Sequence, residues 1–138
     1  MLTALPEPTL SCKVVADGDV VLARQLGRKR AEEMGFNRAD QAQIATAISE
    51  LARNIVNYTP GGRVEVTEVV RGRRKGLQVT VSDTGPGIAD VDLAMSDGYS
   101  TGKSLGLGLP GTKRLVDEFQ IASPLGQGLT VSFIKWLR

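Results

Sequence analysis

Residues 40–58 read DQAQIATAISELARNIVNY and residues 83–88 read DTGPGI, and together they select the fold. In the first stretch Ile44, Ala47, Ile48, Leu51, Ala52, Ile55 and Val56 recur at helical spacing, which predicts a helix from about Arg38 to Tyr58. Pro60-Gly61-Gly62 ends it. The second stretch follows Leu77–Ser82, a strand-like run, so Asp83 arrives at a strand end with two glycines close behind it.

Working outward, Thr9–Ala16 alternates loosely and reads as a strand closed by Asp17-Gly18-Asp19. Asp19 is placed to cap a helix through about Met34, with Val20, Val21, Ala23, Leu26 and Ala31 apolar and Gly35 as the stop. Arg63–Val70 and Leu77–Ser82 pair as an antiparallel hairpin around a basic tip (Arg71, Arg73, Arg74, Lys75) that reads as a solvated turn. From Asp83 to Gly111 the chain is rich in glycine and polar residues, with one short helix candidate near Val91–Met95. A helix from about Pro110 to Glu118 opens with proline in its first turn. Two last strands, Phe119–Ser123 and Leu129–Leu137, flank the turn Pro124–Gly128. No repeat or linker interrupts this order. Residues 1–138 are therefore expected to form one α/β domain, a two-layer α+β sandwich with helices on one face of a mixed, mostly antiparallel sheet. The glycine-rich stretch is the anomaly, since a loop of roughly thirty residues in a compact domain is usually functional.

Composition narrows the chemistry. Aromatics make up only 4% of the 138 residues, so aliphatic side chains must build the core. A net charge of +2 is too small to argue for nucleic acid. The chain has no histidine, which excludes a Ser-His-Asp triad, a Cys-His pair and a phosphohistidine of its own. Cys12 is alone, so no internal disulfide forms, a zinc site is not expected and a reducing compartment is the natural setting. MLTALPEPTL lacks a charged leader followed by an apolar core, and no apolar run approaches the ~18 residues of a membrane span. A cytoplasmic location is expected.

Three sets of residues point at a nucleotide. Glu50 and Asn54 lie four apart, so both project from one helix face about a turn apart. The Asn54 amide oxygen is a hard ligand suited to Mg²⁺, and Glu50 can orient or deprotonate an attacking hydroxyl. At the strand end, Asp83 can accept a hydrogen bond from an exocyclic amine such as that of adenine, while Gly85 and Gly87 let backbone approach a flat ligand. Residues 98–111, GYSTGKSLGLGLPG, place closely spaced glycines before a helix, leaving backbone N–H groups for phosphate oxygens, with Lys103 adding charge. Two familiar motifs fail here. Gly102-Lys103-Ser104 would need the first P-loop glycine where Asp97 stands. Gly106-Leu-Gly108-Leu-Pro-Gly111 satisfies GxGxxG, but a loop precedes it and no acidic residue follows about twenty positions on.

In order, these sets resemble the ATP-binding domain shared by gyrase, the 90-kDa heat-shock chaperones, histidine kinases and mismatch-repair ATPases (the Bergerat, or GHKL, fold). Glu50 and Asn54 look like its N box, DTGPGI its first glycine box and Gly106-Leu-Gly108 its second. Gly126-Gln-Gly128-Leu-Thr130 looks like its closing motif. The runs ARQLGRKRAEEMGF and DQAQIATAISELARNIVNY are similar to the serine/threonine kinases that phosphorylate anti-sigma-factor antagonists, the stressosome switch kinases in particular.

That resemblance implies ATP and Mg²⁺ as cofactors. It implies a STAS-domain antagonist or scaffold as substrate and, once the kinase is released, a PP2C-type phosphatase as second partner. It assigns adenine to Asp83, supported by Gly87 and Thr130, and Mg²⁺ to Asn54. The phosphates go to the backbone of Gly106 and Gly108 with Lys103, and the incoming hydroxyl goes to Glu50. Two alternatives stay open: a detached histidine-kinase ATPase domain acting on another chain, and an anti-sigma-like regulator that uses ATP only to shape an interface.

Overall fold

The computed structural model describes residues 2–4, 10–83, 108–122 and 128–138. Its elements in chain order are β1 (Leu2–Ala4), β2 (Leu10–Val14), α1 (Asp17–Met34), α2 (Arg38–Tyr58), β3 (Gly62–Arg71), β4 (Arg74–Asp83), α3 (Gly108–Arg114), β5 (Glu118–Ala122) and β6 (Thr130–Trp136). The strands form one sheet in the order β1-β3-β4-β6-β5, with β2 also paired to β3. Every pairing among the described strands is antiparallel.

The period of two along the strands sorts side chains between the faces. Val64, Val66, Leu77, Val79, Val81, Val131 and Phe133 are buried against Ile44, Ile48, Leu51 and Ile55 of α2 and Val20, Ala23 and Ala31 of α1. The core is thus aliphatic, as the composition requires, and the helices lie on one face. On the other face Val69, Ile134 and Trp136 make a small separate cluster near the hairpin tip.

Local chemistry sets the boundaries. Asn37 caps α2 by accepting from the Asp40 N–H at 2.8 Å. Gly35 ends α1 in the left-handed conformation at φ 96°. The expectation that Asp19 is the cap of α1 is corrected: the helix begins at Asp17, and the Asp19 carboxylate reaches back to the N–H groups of Val15 and Ala16 at 2.9 and 3.1 Å. That contact holds its carboxyl below the usual range. The hairpin tip is also tighter than the glycines suggested, a two-residue turn of Gly72 (φ 62°) and Arg73.

The expected helix from Pro110 to Glu118 is shifted. α3 starts at Gly108 and stops at Arg114, where the Leu115 and Val116 N–H groups bond three residues back. Asp117 then joins the sheet, its N–H donating to the Ile134 carbonyl at 3.0 Å and its carboxylate accepting from the Trp136 N–H at 2.7 Å. Strand β1 was not foreseen, and the candidate helix at Val91–Met95 and most of the turn Pro124–Gly128 lie outside the described residues.

Candidate active site

Helix α2 reaches the end of β4 across Gly62. An ideal Cβ on that glycine would stand 2.9 Å from Ile55 Cδ1 and 3.1 Å from Asp83 Cα, and would strike the Ser82 carbonyl. Only hydrogen fits there. Gly62 pairs with Asp83 in the register, so Asp83 lies on the helix face beneath the last turns of α2, the turns that carry Glu50 and Asn54.

Gln43, Glu50 and Asn54 are spaced by seven and four, which puts them on one stripe of α2, and all three are half-buried. Gln43 fixes which way the stripe faces. Its Oε1 accepts from Lys135 Nζ at 2.8 Å, and the same ammonium donates to the Leu115 carbonyl, just beyond α3, at 3.2 Å. Asp40 Oδ1 stands 3.7 Å away from it. Lys135 therefore ties the start of α2 to the end of α3, the helix that closes the glycine-rich stretch. Buried Thr112 of α3 lies in the same layer. Glu50 and Asn54 thus share the α3 side of α2, with Asp83 at its end.

The carboxylate of Asp83 is seated by the chain just before β6. Its Oδ1 accepts from the Leu129 N–H at 3.3 Å, and the Asp83 N–H donates to the Leu129 carbonyl at 3.0 Å. Gly128 makes this possible. It sits at φ +84°, and a Cβ there would strike the Asp83 carbonyl and stand 3.2 Å from Oδ1.

Of the residues expected at the site, Glu50 and Asn54 come together on α2, Asp83 lies at its end, and Gly108 opens α3. Gly85, Gly87, Lys103 and Gly106 lie outside the described residues. Thr130 is not brought to Asp83. It pairs with Ser82, and because Val131 is buried in the core, Thr130 faces the opposite side of the sheet beside Gln120, Ala122 and Ser132. Sequence reasoning quoted Gly128 and Leu129 within the closing motif without giving either a part at Asp83, and it missed Lys135. Lys135 carried a signal, since it shares the inward period of Val131 and Phe133.

Residues 39–138 match the family described as "Histidine kinase-, DNA gyrase B-, and HSP90-like ATPase". The chain is 50% identical over 129 residues to the serine/threonine-protein kinase RsbT of Bacillus subtilis, covering 93% of this chain and 97% of that protein. It is 29% identical over 102 residues to the anti-sigma F factor of Anoxybacillus flavithermus, covering 69% and 68%. It also matches the adaptive-response sensory kinase SasA of a Synechococcus strain at 32% identity, but spans only 28% of that longer protein. Among solved structures, the RsbU and RsbW domains of a Mycobacterium tuberculosis protein superpose with a TM-score of 0.68 at 23% identity, over 96% of this chain and 34% of that one. That likeness speaks for the fold alone.

Proposed function

The chain belongs to the family of histidine kinase-, DNA gyrase B- and HSP90-like ATPases and is a protein serine/threonine kinase; on that premise we propose that it phosphorylates a serine or threonine of a STAS-domain antagonist or scaffold protein within a partner-switching stress pathway. The observation that carries the reading is the seating of Asp83. A strand-end carboxylate held from behind by the Leu129 amide, beneath the helix bearing Glu50 and Asn54, suits an adenine amine at one end and phosphates at the other.

Each residue then has a task. Asp83 accepts from the adenine amine, and Gly85 and Gly87 bring backbone against the ring. The steadying part that the resemblance gives Thr130 passes to the Leu129 amide, because Thr130 faces away. Among the described residues no group of three or more carboxylate, cysteine or histidine side chains could hold a metal, so Mg²⁺ would bind Asn54 together with phosphate oxygens. Bound ATP supplies the transferable phosphoryl group. Gly106, Gly108 and Lys103 bind and neutralise the phosphate chain, and Glu50 orients the acceptor hydroxyl and takes its proton. Positioning and charge neutralisation supply most of the rate in phosphoryl transfer, so few side chains suffice.

No helix among the described residues is long and apolar enough to cross a membrane. The cytoplasm is the compartment this reading assigns, residues 1–138 acting as one domain, with a PP2C-type phosphatase as the partner engaged after release from the substrate. Toward STAS-domain proteins, the similarity to an anti-sigma factor favours one second reading, a regulator that binds them in an ATP-dependent manner without transferring phosphate to them.

Mixing the protein with Mg-ATP and STAS-domain candidates and mapping phosphate by mass spectrometry decides between the two. Phosphoserine or phosphothreonine that depends on Glu50 supports the kinase on this substrate class. ATP-dependent complex formation with no phosphate transferred supports the regulator.

A further inference from the structure

The end of the sheet farthest from Asp83 holds an arrangement of charge that phosphotransfer does not use. β4 runs from Arg74 to Asp83, ten residues or about 30 Å of extended chain. At its far end Arg71 pairs with Arg74 across the Gly72-Arg73 turn, and the Leu137 N–H donates to the Lys75 carbonyl at 2.8 Å, bringing Arg138 alongside. Among the described residues, five side-chain cations (Arg71, Arg73, Arg74, Lys75 and Arg138) meet two side-chain carboxylates there, Asp117 and Glu118, an excess of three. The rest of the chain, with the other twelve basic and thirteen acidic residues, has a slight excess of acid.

Both carboxylates are engaged. Glu118 accepts from Arg71 through two hydrogen bonds at 2.6 and 3.0 Å and from Trp136 Nε1 at 2.9 Å. Asp117 accepts from Arg138 at 2.6 Å and from the Trp136 backbone. Arg74 pairs with no carboxylate among the described residues. Its guanidinium carbon lies 4.5 Å from the Trp136 ring centroid, with that of Arg71 at 5.1 Å. The indole is buried and pinned at its N–H, so Arg74 rests on a fixed platform. Stacking uses the flat face of a guanidinium and leaves its N–H edge for a planar acceptor, and the ordering entropy is already met before a partner arrives.

We infer that this end of the sheet is a docking surface for an acidic segment of a partner protein, with Arg74 on Trp136 as its anchor and Arg73 and Lys75 as flanking contacts. The single ordered fork matches a carboxylate. A nucleic acid needs a longer basic track, and beyond the tip it would meet the balanced, slightly acidic remainder of the chain. The distance from Asp83 lets the surface be occupied while nucleotide is bound. The inference does not depend on which protein the kinase phosphorylates.

Trp136 is the only tryptophan, so its emission reports directly on this surface. A short poly-glutamate peptide titrated into the whole protein is expected to change that emission saturably, with an affinity that falls as salt rises. Arg74→Gln should weaken the peptide about tenfold or more, the size of one lost charge-assisted hydrogen bond. The Arg73→Gln, Lys75→Gln double variant, which leaves the indole stack intact, should also weaken it. Neither should alter ATP affinity, and the double variant, which spares the contacts of Arg74 with Trp136 and Glu118, should leave the unfolding temperature unchanged as well. The inference is overturned by an absent or non-saturating response, by unchanged affinity in both variants, or by equal affinity for an oligonucleotide of matched charge or for anionic lipid vesicles.

Discussion

The Leu129 N–H donates to Asp83 Oδ1 at 3.3 Å while the Asp83 N–H donates back to the Leu129 carbonyl at 3.0 Å. This reciprocal pair fixes both the strand end and the direction of its carboxylate, and it depends on Gly128 having no side chain. Gly128→Ala places an L-residue at φ +84°, at a cost of about 1–2 kcal/mol, and drives its Cβ into the Asp83 backbone. Relief requires Asp83 to move. The expected result is an ATP affinity lowered by at least about tenfold, read by calorimetry, in a protein that still unfolds cooperatively. Parent-like affinity would show that Asp83 is not seated by this contact.

Asp83→Asn and Glu50→Ala separate binding from chemistry. An amide at position 83 turns an amine donor toward the adenine amine, so ATP binding should be lost. Glu50→Ala should leave ATP affinity near that of the parent and lower phosphotransfer by about 10²–10⁴-fold, the usual loss when a general base is removed. Single-turnover transfer beside equilibrium binding measures both. Retained transfer in the Glu50 variant would mean that another group accepts the proton.

The helices were legible because one strong signal governed each. Apolar period with the stops at Gly35 and Pro60-Gly61-Gly62 bound α1 and α2 to within two residues. Asp83 at a strand end was legible from the strand-like run before it and the two glycines close behind it in sequence. Thr130 was not, because reading a closing motif as a string ignores strand alternation: one residue of offset sends a side chain to the other face. The end of α3 was missed for a similar reason. Val116 and Asp117 have nothing against helix in their sequence, and only the bonds from Asp117 to Ile134 and Trp136 pull the chain into the sheet. Strand β1 is three residues long and too short for any period to register.

Lys135→Met tests the clasp between α2 and α3. The methionine fills much of the same volume but leaves the Leu115 carbonyl and Gln43 Oε1 without their donor and removes the cation near buried Asp40. A loss of roughly 1–3 kcal/mol is expected from the unsatisfied groups. Urea unfolding followed by Trp136 fluorescence measures it. Since the clasp anchors the end of the glycine-rich stretch, ATP affinity should fall as well. A variant as stable as the parent would show that the buried ammonium is compensated elsewhere.

Acid should loosen the far end of the sheet. Hydrogen bonding from Arg71 holds the Glu118 carboxyl below its ordinary value, with the Trp136 N–H and the charges of Arg71 and Arg74 adding to the effect, while burial opposes it. A carboxyl depressed in the folded state binds fewer protons there than in the unfolded chain, so stability rises with pH across that interval. The contribution is complete above the unfolded-state value and is lost as pH falls through the folded one. Asp19, lowered chiefly by the Val15 N–H and then by that of Ala16, acts in the same direction. Glu118→Gln removes one of these two titrations. Its unfolding midpoint should lie below the parent's at neutral pH, converge on it in strong acid and vary less between the two. A constant offset at every pH would mean that the variant disturbs packing around Trp136 rather than the charge on Glu118.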